Sequence, residues 1–285
     1  MRKRYLSAAL AVVTLGLVAW SASPAKPISL SDVSHVHGIA FDPGNPGAIY
    51  LATHHGLFRA SPNGTATLLS PDRSDYMGFT PDPADPGRLL ASGHPEGGGN
   101  LGVILSEDGG ARWTQLSPGA GGPVDFHAMS ISRADPETVY GLFGGIQVSR
   151  DGGITWLRAG AGPDRVIDLA ASPAAADVLY AGTVGGLMLS SDAGKTWALI
   201  GPENVATTMV EATSDGSLYA FFAGAGLFKL ASDGTWGTLA EGFGDSYILH
   251  LAVDPQNAAH LVAVTEAGAI IESLDGGKTW KAFGP

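Results

Sequence analysis

The chain has 285 residues, 45% of them hydrophobic, with 41 Gly, 18 Pro and no Cys. Sixteen Lys+Arg against 27 Asp+Glu give a formal charge of −11. Wholesale disorder, disulfide scaffolds, Cys-ligated zinc, a thiol nucleophile and phosphate-backbone binding to nucleic acid are thereby excluded, while the length suffices for one large core or two modest ones.

Arg2, Lys3 and Arg4 precede an apolar run from Leu6 to Trp20, followed by the small residues Ser21, Ala22, Ser23 and Ala25. That order is the one a secretory signal peptide uses, and the run is short for a membrane span of about 20 residues. The reading is a signal peptide over 1–25 and one domain over 26–285. The mature protein is then exported, to the extracellular space, cell envelope or periplasm. It touches membrane only if the segment stays uncut, and cleavage takes the formal charge from −11 to −14 by removing three basic residues.

Beyond this segment the chain repeats itself. Ser106-Glu107-Asp108-Gly109-Gly110-Ala111-Arg112-Trp113 returns beginning at Ser149, Ser190 and Ser273, and a shortened copy spans Ser232 to Trp236. The Trp residues are spaced by 43, 41, 39 and 44 positions. Gly relieves positive φ in such a turn, the Asp carboxylate caps backbone N–H groups of its own loop, and the Trp packs on the neighbouring sheet. These Asp residues therefore read as structural.

Upstream of each turn lies an apolar strand: Ala48–Leu51, Arg88–Ala91, Thr138–Gly141, Val178–Ala181, Ser217–Ala220 and His260–Ala263. Each follows a polar or Pro-bearing turn, and an inner strand precedes that turn at 35–41, 75–80, 125–131, 165–171, 206–212 and 247–253. Four strands per period of about 40 to 45 residues is a propeller-blade pattern. The chain predicts an all-β, six-bladed β-propeller of four-stranded antiparallel blades, a monomer. Blade one lacks the turn motif, and Ile28 to Leu30 offers an edge strand to the final blade.

The repeated turn resembles the Asp-box of sialidase-type (BNR) β-propellers. The resemblance implies glycoside hydrolysis as one reading, with generic glycosyl-hydrolase character. Hydrolysis needs two carboxylates about 5–10 Å apart, and Asp75, Glu96, Asp125, Asp164, Asp168, Glu211, Asp245 and Glu266 fall on the appropriate face. The Arg-Ile-Pro segment of sialidases is absent, and only Arg73 and Arg165 lie near that face, so sialidase activity itself is disfavoured. The chain also looks like propellers that serve as assembly factors and receptor ectodomains, which makes a non-catalytic protein-binding module the third reading.

Antiparallel blades sort residues by face, because the start of strand one and the end of strand two share one end while the turn motif takes the other. Six of the eight His residues sort to the box-free end, all within blades one to three. Aligning Tyr50 with Tyr140, and Pro46 with Pro86 and Pro136, puts His37, Met77 and His127 at one level. His35 and His37, about 6.6 Å apart along a strand, point to one side. The predicted metal ligands are His35, His37, Met77, His94 and His127, with His54, His55, Glu96 and Asp125 as outer partners. Imidazole suits copper or zinc, and the thioether places copper first. No organic cofactor is expected. The competing occupant of the pocket is a glycan or other small ligand.

Overall fold

The computed structural model describes residues 25–45, 47–231 and 233–285, so the expected signal peptide lies outside the described residues. Among them, no helix is long and apolar enough to cross a membrane. Six antiparallel sheets follow one another along the chain, five of four strands and one of five. Their inner strands are Val36–Phe41, Asp75–Pro81, Met129–Ile131, Val166–Ala171, Thr207–Ala212 and Ile248–Asp254, each packing on the next and the last on the first around a central channel. The molecule is a six-bladed β-propeller.

Local chemistry sets each blade. Strand two is buried on both faces between neighbouring blades, as in Ile49–Thr53 or Leu218–Phe222, so it reads as a continuous apolar run rather than an alternating one. The third-to-fourth turn repeats one network in blades two, three, four and six. In blade three Ser149 Oγ accepts from Gly153 N at 2.9 Å, Asp151 accepts from the N–H of Thr155 at 2.8 Å, and Trp156 Nε1 donates to Gly153 O at 2.8 Å. The second glycine of the turn needs positive φ and abuts the preceding blade. A Cβ on Gly110 would lie 2.4 Å from Leu57, and one on Gly194 would lie 2.8 Å from Ile146. The side-chain hydrogen bond from Thr196 holds the carboxyl of Asp192 down at about 2, and Thr279 does the same for Asp275. Only Trp156 of the four turn tryptophans is buried, its ring 4.8 Å from that of Phe126; Trp113, Trp197 and Trp280 are half-buried.

One expectation fails. Ile28–Ser29 does not extend the final blade; it pairs antiparallel with Thr65 and Ala66 on the outer edge of blade one. The chain passes from this strand through the short turn Leu30–Asp32 straight into the innermost strand, so blade one's own edge is the nearest open one. Leu30 N also donates to Gly64 O at 2.9 Å. The ring therefore closes by packing alone: Ala252, Val262, Val264 and Phe283 of blade six share a core with Leu30, Val33, Phe41 and Leu51.

Candidate functional site

Blades one to five share a backbone landmark just past strand one. Asp42, Asp82 and Ser132 N–H groups bond to the carbonyls of Ala48, Arg88 and Thr138, each at 2.9 Å. Counting back from it makes His37, Met77 and His127 equivalent, and also His35, Asp75 and Asp125. Counting forward makes His54 and His94 equivalent. The first and second strands pair so that Asp75 lies opposite His94 and Val36 opposite Thr53. All these groups gather at the channel mouth remote from the repeated turns.

What assembles there is a duplicated unit. At the end of strand two, an imidazole reaches forward to the carboxylate that opens the next blade. His54 Nδ1 lies 2.6 Å from Asp75 Oδ2, and His94 Nε2 lies 2.8 Å from Asp125 Oδ2. A second imidazole joins each carboxylate: His37 Nε2 at 3.6 Å from Asp75 Oδ1, His127 Nε2 at 2.9 Å from Asp125 Oδ2. Close passage of the backbone makes this geometry accessible. Gly93 has φ 129°, and a Cβ there would sit 1.9 Å from the Asp75 carbonyl oxygen. Only glycine lets strand two cross so near Asp75.

The two units differ in what their nitrogens have left to offer. His94 is fully engaged, since Nδ1 also lies 2.9 Å from Gly99 O. Two acceptors around one ring favour the imidazolium, and the pKa of His94 is raised, first by that carbonyl, then by the charges of Asp125 and Asp75 against the opposing effect of burial. His37 is the opposite case. Burial lowers its pKa, and the neighbouring charges of His54, His35 and His127 add to this while Asp75 opposes it. His37 Nε2, Asp75 Oδ1 and Asp125 Oδ1 are buried and have no hydrogen-bond partner. Buried polar atoms are nearly always paired, so an orphaned imidazole nitrogen facing an orphaned carboxylate oxygen marks a place for a bound group.

His37, His54 and Asp75 each bring one donor atom within 4.8 Å of the others. The remaining expected ligands stand around this set. His35, at φ 54° and just before the inner strand, places its ring 5.1 Å from that of His54, and the His37 ring is 4.5 Å from His54. His127 is largely exposed. Met77 is buried two residues along the strand from Asp75, opposite Ser92. His55 and Glu96 are exposed, and the His55 ring is 6.4 Å from that of His54. His250 on blade six is pushed down to about 4 by burial and then by the His37 charge, whereas His260, at the other end, meets Phe41 edge-to-face and lies 3.6 Å from Asp254.

Sequence reasoning placed Asp75 only among the hydrolytic carboxylates and His54 among the outer partners, yet both belong to the converging set. A usable signal was present: Asp75 and Asp125, like His54 and His94, occupy the same position in successive repeats.

No known protein-family model matches the chain, and no curated protein matches it. Among solved structures it is similar to a GH74 xyloglucanase from Xanthomonas campestris, at 22% identity, TM-score 0.57, over 91% of this chain and 47% of that one. A GH74 enzyme from Niastella koreensis gives 20%, TM-score 0.61, 87% and 45%. YCF48 bound to a D1 peptide gives 18%, TM-score 0.55, 93% and 87%. The chain thus spans less than half the length of the GH74 structures. These likenesses show a shared propeller fold.

Proposed function

We propose that this chain is an exported Asp-box propeller that binds a divalent transition-metal ion at the mouth remote from the repeated turns. His37, His54 and Asp75 would be the ligands, with His35 and His127 beside them. The observation that carries this reading is the buried, unpartnered His37 Nε2 set 3.6 Å from the unpartnered Asp75 Oδ1. Two imidazoles and a carboxylate suit Cu(II) or Zn(II), with copper the tighter by the ordinary order of divalent affinities. The His94–Asp125–His127 unit beside it supplies hydrogen bonding rather than a ligand. Binding releases protons, so affinity falls as the pH drops.

The test is metal analysis and calorimetric titration of protein purified without a His-tag. One equivalent of copper or zinc is expected, with uptake lost in His37→Ala/Asp75→Ala at unchanged melting temperature of the metal-free protein. Stoichiometric uptake by that double variant overturns the assignment.

A second reading has its own support. The YCF48 structures match over 87–88% of their length, unlike the GH74 enzymes, and one of them is bound to a D1 peptide, so a peptide-binding propeller of this size is the parallel. Pull-down from the exported fraction, with and without metal, separates an ion-binding module from a protein-binding one.

A further inference from the structure

The opposite mouth of the channel carries a different chemistry. Arg133, just past the inner strand of blade three, is exposed and borders three adjoining hollows. The central one has a volume of about 280 Å³. Its walls include Pro43, Pro81 and Pro83 with Leu251 and Val253, and Glu211 from the inner strand of blade five faces into it. Other acids on this rim already have cations: Asp82 lies 2.7 Å from Arg88, Asp215 is 3.5 Å from Lys229, and Asp254 is 3.6 Å from His260. Among the described residues, Arg133 and Glu211 pair with nothing, not even with each other.

A guanidinium fork and a half-buried carboxyl on one small apolar-walled cavity form a complementary pair for a ligand bearing both charges. We infer that this mouth binds a free apolar α-amino acid, its carboxylate on Arg133, its ammonium on Glu211 and its side chain against the proline wall. Planar N–H donors match a carboxylate bidentately, whereas an ammonium needs only a single acceptor. A volume near the lower end of ligand cavities limits the occupant to something of this size. Burial and the nearby Asp168 raise the Glu211 carboxyl to about 7 while Arg133 opposes that rise, so an arriving ammonium stabilises the ionised form it binds.

The test is calorimetric titration of the full mature protein with alanine, valine, leucine and proline, then with 4-methylpentanoate and leucinamide, which each lack one of leucine's two charges. At least one amino acid should bind, and for leucine the loss of either charge should weaken binding at least tenfold. Arg133→Ala should remove the difference between leucine and leucinamide, and Glu211→Gln the difference between leucine and 4-methylpentanoate. Arg133 is exposed, so its variant folds; a melting curve for Glu211→Gln checks the other. No binding by any of the four amino acids, or leucine binding unchanged in Arg133→Ala, overturns the inference. Metal uptake at the far mouth, measured on the same variants, stays normal whichever way this falls.

Discussion

The two mouths of the channel are made by the same six inner strands but hold their residues for different reasons. At the turn end, the backbone dictates identity: the Ser–Asp–Gly network needs its hydroxyl, its carboxylate and a positive-φ glycine against the preceding blade in each of four copies. At the histidine end, the His–Asp–His unit occurs only twice, around Asp75 and Asp125. The strand-two position occupied by His54 and His94 is Gly144, Val184, Ala223 and Glu266 in the other blades, and the Asp75/Asp125 position is His35, Arg165, Ala206 and Tyr247. A position that the fold leaves free is one where chemistry can be installed, and here it is installed in three adjacent blades.

That contrast can be broken by experiment. The largest effect expected is at the histidine end: Asp75→Ala abolishes stoichiometric metal uptake, while Glu266→Ala, on the same rim in blade six, leaves it intact. Uptake that depended equally on both would show a diffuse acidic surface instead of a site. At the turn end, Trp156→Ala costs about 3–5 kcal/mol in denaturant melts, as for other buried large aromatics. Trp197→Ala costs less, because that ring is half-buried; equal losses would mean the exposed rim of the tryptophan carries the energy.

Next in size is a pH effect. The Glu211 carboxyl has a folded value raised from 4.5 to about 7, by burial first, so the folded state holds a proton that the unfolded chain has already lost between those limits. Its contribution to stability is therefore full below pH 4.5 and is lost as the pH rises toward 7, on the order of 3 kcal/mol in all. Glu211→Gln should reduce the slope of the stability profile across pH 4.5–7, leaving the part due to the neighbouring Asp168, whose carboxyl burial also raises to about 7; a profile identical to that of the parent protein would place the Glu211 carboxyl in water. The smallest effect is expected from Asp125→Ala, which should weaken metal binding about tenfold, the usual scale for a group that orients rather than ligates. Complete loss would move Asp125 among the ligands.

Much of this was legible from the repeats. The spacing of Trp113, Trp156 and Trp197, the apolar second strands and the antiparallel order sort nearly every histidine to its end of the channel without coordinates. The alignment of His37, Met77 and His127 matches the register of the strands. What the repeat could not reveal was the partner of each imidazole. His54 and His94 look across to the next blade, so their carboxylates are found by interblade packing, not by strand periodicity. The same blindness misplaced Ile28–Ser29, since the edge a terminal strand joins depends on which edge lies open beside it.

The sequence by itself determined the blade count, the turn chemistry and the acidic, cysteine-free character of the chain, because those depend on local conformational preference repeated along the polymer. Only the tertiary structure decided that His37 and Asp75 face each other with unused polar atoms and that Arg133 and Glu211 share a cavity without pairing. Such juxtapositions arise where separate sheets meet around an axis, and the energy of those contacts belongs to the packing of blades rather than to any one segment.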